Sequence, residues 1–327
     1  MTFVIILIVL ALIFDFLNGF NDSSNIVATI IFSRALPPRT ALILTAVAEF
    51  SGPFLFGVAV AKTIGAGIVP AESINVLMLI AAVFSAIIWD LFAWYFGIPS
   101  SSSHALIGGL VGAVGFGASF SVIQLSGLGQ VLIALFASPI LGLLVGYLMM
   151  KLILFLARKA SMKINFFFKN AQIITGVGLA LSHGANDAQK TMGIITLALL
   201  TAGKIDHFEV PLWVIALSAG AIALGTSIGG WRLIRTLGSK FYKIRPVHGF
   251  AAQISSAAVI LSAALLGGPV STTQVVSSTI MGVGSAERIN KVRWGVAGNI
   301  ATAWLLTIPV TGLLAGLIYT ILKWLFL

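Results

Sequence analysis

No cysteine occurs in the 327 residues. Disulfides, thiolate metal sites and cysteine nucleophiles are therefore excluded. Charge is nearly as scarce. Asp, Glu, Lys and Arg make up 9% of the chain, against roughly 25% in an ordinary soluble domain. Acids are the rarest, nine against 19 basic residues. So few charges cannot cover the surface of a soluble protein of this length, which excludes a soluble enzyme, a disordered chain and a nucleic-acid-binding module. No His-Glu-x-x-His helix or Ser-His-Asp arrangement is present. The sequence therefore offers no catalytic constellation beyond serine-rich segments, and an enzyme is not expected.

What is present is apolar. Hydrophobic residues make up 59% of the chain, and the mean hydropathy is +1.09. This composition implies a polytopic membrane protein. The net charge of +10 sits in short basic clusters between apolar runs, the usual topology signal of a membrane protein. Thr2 to Leu12 resembles a signal-peptide core, but no basic segment precedes it. It is expected to stay as a membrane helix.

Apolar runs fall at about 2–32, 40–61, 73–96, 104–120, 128–157, 171–200, 211–231, 249–268, 275–284 and 295–327. A spanning helix needs about 20 residues, so the runs at 104–120 and 275–284 are short, and each follows a Pro/Ser/Thr-rich break. Four loops, around Arg34, Lys159, Arg235 and Lys291, hold 15 of the 19 basic residues and are assigned to the cytoplasm. The segment 248–285 must then enter and return on one side, turning at Gly267-Gly268-Pro269-Val270-Ser271. Likewise 73–120 turns at Gly97-Ile98-Pro99-Ser100-Ser101. Three spans plus one hairpin per half give the halves opposite orientations.

The halves also align. Asn21-Asp22 in Gly-Phe-Asn-Asp-Ser-Ser-Asn matches Asn186-Asp187 in Gly-Ala-Asn-Asp-Ala-Gln-Lys at an offset of 165. Pro99 to His104 matches Pro269 to Gln274, and Pro139 to Gly146 matches Pro309 to Gly316, both at an offset of 170. The expected fold is an all-α polytopic membrane protein with two inverted-topology repeats, 1–157 and 170–327, joined by a basic cytoplasmic linker, 158–169. Each repeat has spanning, partly broken helices and one re-entrant helical hairpin. Both termini are expected outside, in the cell membrane. Inverted repeats place a site near the midplane where the halves meet, which favours a secondary transporter.

Aspartates inside membrane helices cost several kcal/mol and so carry a partner or a function. Asp22 and Asp187 recur at matched repeat positions, each beside an Asn. The runs that hold them are too long for one straight crossing, and a break or strong tilt is expected near Gly19 and Gly184. Freed carbonyls with carboxylate and amide oxygens would then suit sodium. The two Ser/Thr tips each open a helix whose first turn carries unpaired N–H groups and partial positive charge. Two such tips make an anion site without arginine; ordinary N-capping is part of their role. Carboxylates beside an anion repel it unless cations enter together. A hydrogen-bearing phosphate can also donate to an aspartate, which sulfate cannot do at neutral pH. Asp15 and Glu49 either pair with a helix partner or help an ion enter. Lys190, the repeat mate of Asn25, either balances Asp187 or lies near the anion. Asp90 has Ile260 as its mate and no symmetric role. His104 and His183 are expected as hydrogen-bonded packing residues.

The paired Gly-x-Asn-Asp motifs and the Pro-Ser-Ser-Ser-Ser-His and Pro-Val-Ser-Thr-Thr-Gln tips resemble the inorganic phosphate transporter (PiT) family over essentially the whole chain. That resemblance implies an ion-coupled phosphate symporter, a homodimer, and substrate and ion sites at the Asn-Asp pairs and hairpin hydroxyls. The combined expectation is a sodium-coupled importer working by alternating access, with no cofactor besides the co-transported sodium. Phosphate is assigned to Ser101, Ser102, Ser103, Ser271, Thr272 and Thr273, with Asp22 and Asp187. Sodium is assigned to Asn21, Asp22, Asn25, Asn186, Asp187, Ser102 and Thr272. Asp-Ala-Gln-Lys lacks the small polar run of the first motif, so the half-sites are not equivalent. A proton-coupled phosphate or sulfate permease and an anion channel are the alternatives.

Overall fold

The computed structural model describes residues 1–98, 100–161, 163–240 and 245–326. Pro99 of the first tip and Lys243 of the third basic loop lie outside the described residues. Twelve α-helices are described: α1 (Thr2–Phe32), α2 (Pro38–Phe56), α3 (Ala59–Gly67), α4 (Val76–Phe96), α5 (Ser102–Gly117), α6 (Leu125–Leu156), α7 (Ile164–Thr201), α8 (Leu212–Ile228), α9 (Trp231–Lys240), α10 (Pro246–Leu265), α11 (Thr272–Glu287) and α12 (Trp294–Phe326). Six are long and apolar enough to cross a membrane. Large apolar side chains such as Ile140 on α6 and Leu313 on α12 point outward, as lipid-facing surfaces do. The chain is thus a multi-pass, all-helical membrane protein.

Each helix of α1–α6 has a counterpart in α7–α12. Six described residues have positive φ, and they fall into three pairs: Arg34 (58°) with Gly203 (62°), Gly57 (81°) with Gly229 (76°), and Gly97 (65°) with Gly267 (74°). Within the pairs the residues are 169, 172 and 170 positions apart. Gly97 and Gly267 end α4 and α10 in the same way. The next residue's N–H returns to Ala93 O at 2.9 Å in one half and to Ala263 O at 2.8 Å in the other. This left-handed cap, which glycine adopts without strain, satisfies the last helical carbonyls and turns the chain. Ser101 and Ser271 then cap α5 and α11, accepting from His104 N at 3.2 Å and Gln274 N at 3.4 Å.

The halves interlock through crossed contacts. α1 packs on α8 and α7 on α2, while α5 packs on α12 and α11 on α6. Small residues permit these approaches. A Cβ on Gly19 would stand 2.0 Å from Ile222 O, and one on Gly184 would stand 2.0 Å from Glu49 O. This corrects the expected breaks. α1 and α7 run unbroken through Gly19 and Gly184, because those glycines serve close packing rather than bending.

The breaks lie elsewhere. Gly57 separates α2 from α3, and Gly229 separates α8 from α9. Residues beside the Asn-Asp motifs hold these breaks together. Gln189 donates to Gly57 O (2.7 Å) and accepts from Val60 N (2.7 Å) and Ala61 N (3.2 Å). Ser23 accepts from Gly230 N at 3.0 Å. At the ends of α10 and α11, Glu287 gathers Arg245, His248 and Lys291 and so ties the base of the second hairpin.

Candidate functional site

Asp22 on α1 and Asp187 on α7 meet at the first turns of α5 and α11, at the centre of the molecule. Both carboxylates are buried. Thr272 Oγ1 bridges them, 3.1 Å from Asp22 Oδ2 and 2.8 Å from Asp187 Oδ2. Thr273 donates to Asp22 Oδ1 at 2.7 Å, and Asn25 Nδ2 donates to the same oxygen at 2.8 Å. Ser102 reaches the centre through Asn18, donating to its Oδ1 at 2.8 Å, while Asn18 Nδ2 lies 3.4 Å from Asp187 Oδ2. Ser103 donates to Val270 O at 3.1 Å and accepts from Lys190 Nζ at 2.6 Å. Residues expected together from the sequence thus converge from four helices.

The remaining assigned residues sit at the edge. The hydroxyls of Ser101 and Ser271 cap their helices one position behind the cluster. Asn186 faces the second tip backbone instead of the carboxylates. Its Nδ2 donates to Gly268 O at 3.1 Å and its Oδ1 accepts from Val270 N at 3.3 Å. Asn21 Nδ2 lies 3.4 Å from Asp90 O, and its Oδ1 has no hydrogen-bond partner. One tip is therefore fastened to its Asn-Asp motif, and the other is not fastened in that way. On that side a cleft of about 10 Å³ opens among Asn21, Asp22, Asp90, Ile98, Ser100 and Leu233, enough for roughly one water.

Three side chains that the sequence left in the background complete the site. His183 Nε2 stands 3.4 Å from Asp22 Oδ2 and 3.2 Å from Asp187 Oδ2, and its Nδ1 contacts Glu49. It is buried and hydrogen-bonded, as expected, but its partners are the carboxylates of the site itself. Its position one turn before Asp187 puts it on the same helix face, as Asn18 is one turn before Asp22, and that spacing could have flagged it. Lys190 pairs with Asp187 and also donates to Val270 O at 3.0 Å, so it balances the acid and touches both tips. Asp15 is a buried neighbour, accepting from Thr191 at 2.6 Å while its Oδ2 has no partner. Five of the nine acids, Asp15, Asp22, Glu49, Asp90 and Asp187, are buried in this region, with Lys190 and His183 as the basic side chains among them.

Chemically, the arrangement offers two things in one place. Asp22, His183 and Asp187 present ligand atoms that all lie within 4.8 Å of one another, a set able to hold a cation. The N-termini of α5 and α11 supply hydroxyls and partial positive charge suited to an oxyanion.

Comparison with known proteins agrees with this chemistry. Residues 18–315 match the model of the phosphate transporter family. A Bacillus subtilis (strain 168) protein named "Probable low-affinity inorganic phosphate transporter" is 42% identical over 326 residues, 98% of each chain. A Rhizobium meliloti (strain 1021) protein of the same name is 43% identical over 315 residues, 96% of this chain and 94% of its own. A solved structure titled "The sodium-dependent phosphate transporter" superposes over 100% of both chains with a TM-score of 0.91 at 27% identity. With a carboxylate pair and two helix N-termini meeting at one buried point, and a match that spans nearly the full length, this chain belongs to the phosphate transporter family.

Proposed function

We propose that this transporter imports inorganic phosphate together with sodium ions, and that the cluster around Asp22, Asp187 and Thr272 is where both bind. The observation that carries this reading is the Thr272 bridge, which places two carboxylates at the N-terminal turn of α11. Anionic carboxylates at an anion site make sense only if cations accompany the substrate. Sodium between Asp22 and Asp187, aided by Asn25, Ser102 and Thr272, removes the repulsion. The phosphate then takes N–H and hydroxyl donors from the tips at Ser101 to Ser103 and Ser271 to Thr273. A protonated phosphate oxygen donates to one aspartate. Asn21 and Asn186 sit at the tip margins, where they bind the tip backbone or the entering ion. The sodium-dependent transporter with the same fold supports the choice of ion.

Transport proceeds by alternating access. The cleft beside Asn21 is too small for phosphate, so the tips must separate. The two hairpins are read as re-entrant arms of inverted repeats 1–157 and 170–327, opening on opposite sides. The termini lie outside, and the protein works as a homodimer in the cell membrane.

In proteoliposomes, Asp22→Asn and Asp187→Asn each lower sodium-driven phosphate uptake by at least about tenfold, the scale of one lost charge-assisted interaction. Near-normal uptake in both variants overturns the site assignment. One observation favours proton coupling instead: His183 joins both aspartates to Glu49. Opposing sodium and pH gradients, with labelled phosphate and sulfate, separate the two readings.

A further inference from the structure

The two half-sites invite a residue-by-residue comparison. Asp22 corresponds to Asp187, Thr273 to Ser103, and Asn25 to Lys190. In the first half, Asn25 Nδ2 touches Asp22 Oδ1 (2.8 Å) and Thr273 Oγ1 (3.1 Å). In the second, Lys190 Nζ touches Asp187 Oδ1, Ser103 Oγ (2.6 Å) and Val270 O (3.0 Å). The same pair of partners, a carboxylate and a tip hydroxyl, is thus met by a neutral amide on one side and by an ammonium on the other. Lys190 is buried, and its three oxygen partners are of the kinds that a small hard cation takes: carboxylate, hydroxyl and backbone carbonyl. His183 stands close to both aspartates and does not distinguish them.

From this asymmetry we infer that the Lys190 ammonium is a built-in cation, occupying at Asp187 the place that a coupling sodium takes at Asp22. The inference rests on the sodium reading above and deepens it by fixing which half-site takes a free ion. A carboxylate sealed in a membrane protein needs a counter-charge. Asp187 carries one covalently attached to its own helix. Asp22 has no such charge of its own: besides His183, which it shares with Asp187, it is met by the neutral donors Thr272, Thr273 and Asn25. Beside it, Asn25 Oδ1 is buried with no hydrogen-bond partner, leaving an amide oxygen to complete a cation's shell. The chain therefore couples one sodium fewer than a site with an amide at both positions.

The test counts sodium directly. Equilibrium binding of radioactive sodium to purified, detergent-solubilised protein without phosphate is compared for the parent, Lys190→Asn and Asn25→Lys. Lys190→Asn, which copies the first half-site into the second, is expected to bind one more sodium per protomer, and its phosphate uptake to rise more steeply with sodium concentration. Asn25→Lys is expected to bind one fewer. A monodisperse Lys190→Asn protein with an unchanged count overturns the assignment. If that variant does not fold, an unchanged count in Asn25→Lys overturns it. A parent that binds two sodium ions per protomer at Asp22 and Asp187, the second lost in Asp187→Asn, overturns it without either exchange. Because binding is read without phosphate, loss of the phosphate reading shows separately, as absent uptake in a parent that still binds sodium.

Discussion

Thr272 carries a burden disproportionate to its size, since one hydroxyl proton must serve two carboxylates. Thr272→Val leaves both acids short of a buried donor, a loss of about 1–3 kcal/mol. The expected result is a drop of about tenfold or more in sodium-dependent uptake, with Thr272→Ser close to the parent; equal loss in both variants would point to packing instead. At this scale the sequence was informative where identity repeats. Asp22 and Asp187 stand out because a costly residue occurs twice at matched positions. His183, Glu49 and Lys190 do not announce themselves in this way. Glu49 and His183 lie 134 positions apart, and only the docking of α2 on α7 makes them neighbours. Asn186 resembles a ligand in the sequence, yet the backbone of the second tip claims both of its polar atoms.

Helices in lipid gain little from burying apolar faces against one another, so their association depends on close backbone approach. The glycines of α1, α2, α7 and α8 provide it. Gly184→Ala and Gly225→Ala place a methyl 2.0 Å from Glu49 O and Phe16 O respectively. Each is expected to destabilise by about 1–3 kcal/mol, read as a lower unfolding temperature in detergent. Gly178 and Gly220 lie on the same helices, and a methyl added at either would meet nothing within 4 Å. Alanine there is expected to be neutral or to stabilise by about 0.5–1 kcal/mol. Equal effects at both kinds of site would refute the packing role. The long apolar helices were legible from run lengths, but the helix count was not: ten apolar runs became twelve helices, because the short α3 and α9 follow breaks that the runs at 40–61 and 211–231 conceal. The position of those backbone breaks was not legible either. A glycine at close approach and a glycine at positive φ have the same letter, and only the neighbouring helix tells Gly19 from Gly57.

Across the whole molecule, scarce charge is largely sorted by place: five of the nine acids are buried around the site, with Lys190 among them, and most bases sit in loops and at helix ends. Glu287, one of the four acids outside that buried group, stands among bases where α11 ends. Burial raises its carboxyl, but hydrogen bonds from Lys291 and His248 and the charge of Arg245 outweigh that and hold it down to about 2 from an ordinary 4.5. A depressed acid stabilises the fold above its unfolded value, and the benefit fades as pH falls. Unfolding temperature is thus expected to decline between about pH 4.5 and 2 in the parent, and less steeply in Glu287→Gln. An identical decline in both would remove Glu287 from the base of the hairpin. The crossed packing was not readable from the sequence, since offsets say which elements correspond and not which ones touch. That packing bears on ancestry and on engineering alike. Because α5 and α11 each rest on the last helix of the opposite half, neither half encloses its own hairpin. Cut in the exposed segment near Ser161, the gene becomes two genes whose products are each orphaned alone and complete only when made in the same cell.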